Sequence, residues 1–260
     1  MDGALEDAID RTVSRARSAI ETEIRRTKAE REAFRDFAGT VRGLRAEAVS
    51  SERVGTGIQA LSTNRPNTLG KVQEAYESSV MAVSHYEEEY GDTYVESLAE
   101  EFGPEIARTM VARRQFDGRQ KSALLAAAAD SVRRRTELIE TLETEDASAA
   151  RHADRLSSLA GTVTTLDAEL ASASSFGDYQ AIWFRLADLE SACGEIVETR
   201  QDVLIEQRER LSLPVEGPDV PSYVYAGLER TYPFLDATAR ILSAVDSLRR
   251  RAEHGMGDTN

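Results

Sequence analysis

The chain has 260 residues and a net charge of −14, and only six of its residues are Pro and sixteen are Gly. So few turn-forming residues, together with 6% aromatic and 30% charged residues, argue against many short strands and favour long amphipathic helices. No stretch approaches eighteen consecutive apolar residues, so we predict an all-α protein without a membrane span.

The basic residues are mostly arginine. Only three of the 32, Lys28, Lys71 and Lys121, are lysines, whereas Asp and Glu number 46. A lysine-poor acidic surface fits a cytosol near molar salt, and codon usage in a GC-rich genome is the competing interpretation. The N-terminus has no basic region followed by an apolar run, so we expect a cytoplasmic protein of a halophile. Molar salt screens charges beyond about 3 Å, so binding by phosphate neutralisation would be weak. Neither arginine triplet, residues 133–135 or 249–251, is interleaved with aromatics, and the surrounding charge is negative, so we expect no nucleic-acid partner.

A long N-terminal helix is predicted for residues 2–49, because this stretch lacks Pro and carries a row of residues seven apart. The row consists of Val13, Ile20, Thr27, Phe34, Val41 and Ala48. The charged middle of the helix, residues 25–32, predicts that part of it projects into solvent or pairs with a second chain. Gly, Asn and Pro then make residues 50–68 a loop, which is either a site or a connection.

The predicted helical core spans residues 69–211. Gly91 is expected to break or kink its first stretch, and Gly103 followed by Pro104 is expected to end one helix and begin the next. A helix over residues 119–143 has Arg135 as the one charged residue of its apolar seam. Cys193 lies on the apolar stripe of a later helix, so we predict that it packs in the core.

The most regular seam lies in residues 149–173, where two interlocked rows repeat every seven residues and His152 stands in one of them. Residues 143–146 (Glu-Thr-Glu-Asp) are the only candidate turn before this seam. The helices on either side are therefore predicted to form an antiparallel hairpin. We expect His152 to fix the register of the seam.

The C-terminal part is less regular. Asp178 is expected to cap a helix that ends near Leu211. A Pro-rich link covers residues 212–221, C-terminal helices cover 222–254, and a disordered tail covers 255–260. The whole pattern predicts a single domain over residues 1–254, an elongated antiparallel helical bundle with coiled-coil-like heptad seams.

No catalytic constellation accompanies these helices. Residues 65–72 end like a phosphate-binding P-loop, but Arg65 replaces the first Gly, and Lys71 is followed by Val72 where the motif needs Ser or Thr. None of the three His residues follows a Glu by three positions, as di-iron helical bundles require. We therefore predict that the protein is not an enzyme and has no cofactor and no catalytic or metal-binding residue.

Tyrosines and acids cluster around His85, which makes this region the candidate interaction or ligand surface. Glu88 and Glu89 share the helical face of His85 and allow a weak carboxylate–imidazole site. We prefer the interpretation that His85 is half-buried and hydrogen-bonded to a neighbouring acid. The surface comprises Tyr76, His85, Tyr86, Glu89, Tyr90, Tyr223, Tyr225 and Tyr232.

Charge is segregated along the chain. Residues 72–107 hold ten acids and no base, whereas residues 108–135 hold eight bases and two acids. Segments of opposite charge are expected to pack on each other or on a complementary partner. A solvated acidic face is the alternative.

Short motifs are spread along nearly the whole chain. They are Ala75-Tyr76, Val80-Met81-Ala82-Val83-Ser84-His85-Tyr86, Glu89-Tyr90-Gly91, Leu98-Ala99-Glu100-Glu101-Phe102-Gly103, Lys121-Ser122-Ala123-Leu124-Leu125, Leu189-Glu190 with Cys193, Arg200-Gln201, Tyr223-Val224-Tyr225 and Tyr232-Pro233. Together they resemble an uncharacterised family of helical proteins from halophilic archaea. The resemblance implies a helical fold and a halophilic origin, and it brings no activity, cofactor or catalytic residue.

Three functional hypotheses follow, of which the third, an accessory or regulatory protein in transcription or signalling, is neither favoured nor excluded by the sequence. The first is a non-enzymatic cytoplasmic helical interaction or scaffold protein that self-associates or binds a protein partner through its helices. The second is a small-ligand or metal-binding helical module that uses the aromatic and acidic surface around His85.

Overall fold

The computed structural model describes residues 3–47, 67–112, 116–211 and 219–259. In these ranges all regular elements are α-helices, apart from an isolated parallel bridge between Glu47 and Asp117, so the prediction of an all-α bundle is confirmed. The helices are α1 (Ala4–Gly43), α2 (Thr68–Ser79), α3 (Tyr86–Glu89), α4 (Tyr94–Phe102), α5 (Pro104–Ala112), α6 (Gly118–Ser172), α7 (Phe176–Arg210), α8 (Val220–Val224) and α9 (Pro233–Asp258).

Helix α1 confirms the predicted long N-terminal helix, although it ends at Gly43 rather than at residue 49. The described members of its row of seven-residue spacing, Val13 to Val41, are buried within this chain, and even Thr27, in the charged middle, is only 2% exposed. Ala48, the last member of the row, lies outside the described residues. The row is therefore used for packing inside the molecule. Nearly all of the predicted loop of residues 50–68 lies outside the described residues, and α2 begins at Thr68.

The predicted helical hairpin is wrong, because α6 runs without interruption from Gly118 to Ser172. Residues 143–146 continue the helix, and Glu145 among them is fully buried. Glu is a good helix former, so this polar run does not break the helix. One row of seven-residue spacing in fact continues unbroken through the supposed turn: Ala128, Arg135, Leu142, Ala149, Leu156, Val163 and Leu170.

The chain divides into two compact units. Unit 1 contains Met1–Ile24 and Glu140–Asn260, and unit 2 contains Arg25–Ile139. The two boundaries fall inside α1 and α6. The division concerns packing alone, and the single domain over residues 1–254 stays a prediction.

Unit 2 has an aromatic core. The Phe37 and Phe102 rings stack with their centroids 5.8 Å apart, and the Tyr76 ring meets both edge-on. Helices α4 and α5 are joined as predicted: Gly103 adopts a positive φ of 92°, which favours glycine, and Pro104 opens α5. Phe102, the last residue of α4 before this connection, is part of the core.

Helices α7 and α9 pack against each other in unit 1. Helix α7 begins with a capping box, in which Ser175 is the N-cap and the Asp178 side chain accepts a hydrogen bond from the N-cap backbone. Asp178 thus caps the helix as predicted, but it does so from the third helical position. Gly255 of α9 allows the close contact, because a Cβ there would lie 2.5 Å from the Tyr179 ring. Cys193 is fully buried, as predicted.

The C-terminal prediction differs in detail. Residues 212–218 of the Pro-rich link lie outside the described residues, and α8 already begins at Val220. Helix α9 continues to Asp258, where we predicted a disordered tail from residue 255. Within the described ranges, no helix is long and apolar enough to cross a lipid bilayer.

The substitution Thr144→Pro distinguishes a continuous α6 from a hairpin. Proline inside a helix removes a backbone hydrogen bond and clashes with the preceding turn, so we expect a loss of about 3 kcal/mol or more in the free energy of unfolding. Urea denaturation followed by circular dichroism measures it. Thr144→Ala is the control and is expected to change stability by less than about 1 kcal/mol. If Thr144→Pro were as stable as the control, the chain would turn at this point.

Candidate metal or ligand site around His85

The predicted surface is divided between the two units. Unit 2 holds Tyr76, His85, Tyr86, Glu89 and Tyr90, and unit 1 holds the three C-terminal tyrosines.

His85 lies at the start of α3 and is only 4% exposed. Its Nε2 lies 2.9 Å from Oε1 of Glu30, which belongs to α1, and donates a hydrogen bond to that carboxylate. The predicted hydrogen bond between His85 and an acid is thus confirmed, whereas the prediction that His85 is half-buried is wrong, because the side chain is buried. The acid, however, is 55 residues away in sequence and not on the same helix.

Glu89 brings a second carboxylate to the imidazole. Its Oε2 lies 3.8 Å from His85 Nε2, and its Oε1 accepts a hydrogen bond from Arg26 of α1. One ligand atom from each of Glu30, His85 and Glu89 lies within 4.8 Å of the other two, which is a spacing that one metal ion can bridge. The three residues therefore form a candidate metal site, called here the His85 cluster.

Arg135 orients Glu30 from the other side. Its Nε donates to Oε2 of Glu30 at 2.8 Å, its Nη1 donates to Oε2 of Glu101 at 3.1 Å, and its guanidinium lies over the Phe34 ring at 4.4 Å. These contacts explain why Arg135, a charged residue, occupies a position in the apolar seam of α6. Burial alone raises the pKa of Glu30, but the hydrogen bonds from His85 and Arg135 outweigh it and hold the pKa below its usual value. Glu30 is therefore an anion.

The segregated charges pair in part as expected. Glu101, from the acidic segment, contacts Arg134 and Arg135 from the basic segment, and all three lie in unit 2. Glu88 and Glu89 instead pair with Arg26 of α1. Packing of the two segments on each other is thus supported at the end of α4.

The three tyrosines of the predicted surface that lie in unit 2 have different environments. Tyr90 is 45% exposed and donates to Oε1 of Glu30 at 3.0 Å, so it contacts the His85 cluster. Tyr76 is fully buried with its hydroxyl 3.0 Å from Ser97 Oγ, and it serves the core. Tyr86 is buried beside a small cavity of about 40 Å³, and its hydroxyl has no hydrogen-bond partner among the described residues.

The three C-terminal tyrosines of the predicted surface contact carboxylates of their own unit. Tyr225 is 1% exposed and donates to Oε1 of Glu145 at 2.6 Å. Tyr232 donates to Asp219 at 2.7 Å, and the exposed Tyr223 donates to Glu23. Tyr225 is accordingly a core residue, whereas the other two lie on the surface of unit 1.

Sequence analysis missed the polar core of unit 1. Glu145 is fully buried, and Arg200 of α7 reaches it with two guanidinium nitrogens, one of them at 2.8 Å. Gln207 also donates to this carboxylate, at 2.7 Å. The signal was present: Glu145 precedes His152 by seven residues, and Arg200 follows Cys193 by seven. Both positions lie on rows that we had already assigned to the core.

His152 belongs to the same polar core. It is 2% exposed, and its Nδ1 donates to the carbonyl oxygen of Ser148 at 2.7 Å. Burial lowers the pKa of His152, so the ring is neutral and acts as a packing residue with one internal hydrogen bond. Its role in setting the register of the seam stays a prediction.

The substitution Glu145→Gln tests the buried ion pair. It leaves the Arg200 charge buried without a counter-ion, which costs about 3–5 kcal/mol. We expect a loss of this size in the free energy of unfolding at neutral pH. Glu198→Gln, at an exposed position of α7, is the control and is expected to change stability by less than about 1 kcal/mol. Equal stability of the two variants would contradict the pairing.

Acid should reduce the effect of Glu145→Gln. Burial raises the pKa of Glu145, but the contacts with Arg200 and Tyr225 lower this pKa by more than burial raises it. The folded-state pKa of Glu145 therefore lies below the usual 4.5. The stabilisation is complete above the unfolded-state pKa and is lost as pH falls through the folded-state pKa. The stability difference between the native protein and the variant should shrink below pH 4.5. Denaturation curves across this range measure it, and a constant difference would contradict the assignment.

The chain belongs to the family described as a domain of unknown function, DUF7260, whose model matches residues 11–249. The predicted membership of an uncharacterised family is confirmed, whereas the origin in halophilic archaea stays a prediction. No curated protein and no solved structure matches the chain.

Proposed function

We propose that the protein is a non-enzymatic helical binding protein of a halophilic cytoplasm, and that the His85 cluster binds a divalent metal ion, with Zn²⁺ as the favoured ion. The observation that carries the metal site is the convergence of one imidazole nitrogen and two carboxylate oxygens within 4.8 Å. Imidazole and carboxylate together suit Zn²⁺ better than Mg²⁺, which prefers oxygen ligands alone.

The distances fit such an ion after small movements. Ligands bound to Zn²⁺ at about 2.0–2.2 Å in a tetrahedron lie about 3.4 Å from one another. The two distances from His85 Nε2, 2.9 Å to Glu30 and 3.8 Å to Glu89, lie on either side of that value. The ion would need Nε2 of His85 without a proton and both carboxylates ionised, so protons compete with it and binding should weaken as pH falls.

The arginines leave the inner carboxylate oxygens available. Arg135 holds Oε2 of Glu30 and Arg26 holds Oε1 of Glu89, and in each case the other oxygen is the one nearer to His85. Contacts of this kind orient metal ligands. The exposed Tyr90, bonded to Glu30, places the cluster next to solvent, so water can complete the coordination of the ion.

We propose that the protein is not an enzyme, because the groups of unit 1 that have a shifted pKa are not accessible to a substrate. Glu145 and Arg200 are buried and already paired. Burial raises the pKa of the Cys193 thiol to about 11, so the thiol stays protonated and does not act as a nucleophile.

Zinc titration of the purified protein tests the metal site. Isothermal titration calorimetry should give one Zn²⁺ per chain, and His85→Ala and Glu89→Gln should weaken binding by at least about tenfold. The matched control is His254→Ala, which removes an exposed histidine that also lies beside an acid, 3.4 Å from Asp258. The Glu89 variant changes a partly exposed residue, so it keeps the test valid if His85→Ala unfolds.

Two results would overturn the metal site. The first is the lack of stoichiometric zinc binding by the native protein. The second is equal affinity of His254→Ala and a folded Glu89→Gln variant.

A second candidate function, binding of a protein partner or self-association, is favoured by the outer side of α7. Phe184 and Ile205 are each 57% exposed and lie three heptads apart, which places them on one side of the helix. The described part of the heptad row of α1, Val13 to Val41, is buried inside the chain, so an interaction through helices would use a surface such as this one.

Static light scattering in high salt tests self-association. If α7 mediates it, the native protein should exceed the monomer mass, and the double variant Phe184→Glu with Ile205→Glu should return to it, because buried carboxylates oppose association. Val111→Glu is the control, since Val111 is 59% exposed on α5 of unit 2. A native monomer that also captures no partner in a pull-down would remove the support for this second candidate.

A further inference from the structure

A groove on unit 1 carries a positive charge that the proposed metal site does not use. It has a volume of about 580 Å³ and is formed by the first turns of α1 and by residues 227–240. Its charged lining residues are Arg11, Arg15, Glu229, Arg230, Asp236 and Arg240. Four guanidinium groups thus face two carboxylates, a local excess of two positive charges in a chain with a net charge of −14.

Two of these arginines are available for a ligand. Asp236 pairs with Arg240 at 2.8 Å and with Arg230 at 3.4 Å. Within the described part of the chain, Arg11 and Arg15 form no salt bridge, and both are exposed at the groove. They are four residues apart on α1, so their side chains leave the same face of the helix.

The groove resembles a small-ligand site in size and lining. Its volume falls within the range of about 300–1,000 Å³ that small-molecule sites occupy. Leu228, Pro233 and Ala8 add apolar surface beside the arginines. Pro233 also opens α9, whose N-terminal end favours negative charge.

We infer that this groove binds a small organic phosphate, with Arg11 and Arg15 contacting the phosphate and the apolar residues contacting the organic part. The planar guanidinium donates two parallel hydrogen bonds to phosphate oxygens. Direct contacts of this kind persist in high salt, where attraction beyond about 3 Å is screened. The inference is independent of the His85 cluster, which lies in unit 2.

Inorganic pyrophosphate is the probe, and calorimetry of the full chain is the measurement. We expect saturable binding that is at least about tenfold weaker in Arg11→Gln with Arg15→Gln, because charge-assisted hydrogen bonds are lost. The matched control is Arg42→Gln with Arg45→Gln, which removes two exposed arginines outside the groove and should change affinity less than about twofold. Circular dichroism should show the same helix content in all variants.

Three results would overturn the inference: no saturable pyrophosphate binding, equal affinity of the Arg11/Arg15 variant and the native protein, or an equal loss in the control. Vesicles of phosphatidylglycerol separate the sources of phosphate. If the native protein binds both pyrophosphate and the vesicles, and the Arg11/Arg15 variant loses vesicle binding, the groove is assigned to a lipid headgroup. If the native protein binds pyrophosphate but not the vesicles, the groove is assigned to a free organic phosphate. Binding of a DNA oligonucleotide without pyrophosphate binding would also overturn the inference.

Discussion

Burial of a carboxylate in a helical seam is the constraint on which both units depend. A charge removed from water is tolerated only when it is paired and hydrogen-bonded. Unit 1 satisfies this requirement at Glu145 and unit 2 at Glu30, and each carboxylate receives one arginine and one tyrosine hydroxyl. In both units the arginine also lies over a phenylalanine ring, Arg135 over Phe34 and Arg200 over Phe234.

The two clusters share this arrangement but differ in what they can bind. Around Glu145 the partners Arg200, Gln207 and Tyr225 are buried, so the cluster fixes the core and leaves no position for a ligand. Around Glu30 the partners include an imidazole, a second carboxylate and the partly exposed Tyr90. The same electrostatic arrangement is closed in unit 1 and lies at the surface in unit 2, which is the physical reason for placing a binding function at His85.

The arginine groove adds a different kind of site. A buried arginine is held by its carboxylate and contributes to folding, whereas Arg11 and Arg15 are exposed and face a concave surface. In a strongly acidic chain, an arginine is available to an anionic ligand only when its guanidinium is not already paired with a carboxylate of the protein.

The sequence by itself determined the helical fold class and the buried rows, because a seven-residue spacing of apolar side chains is a local property of a helix. It also contained the evidence against the supposed turn at residues 143–146, since the row through Leu142 and Ala149 keeps its spacing across it; the polar composition of the segment misled us. Only the tertiary structure decided which acid meets His85 and which meets Arg200. Glu30 and Glu145 are each 55 residues from these partners, and spacing within one helix says nothing about which other helix packs on it.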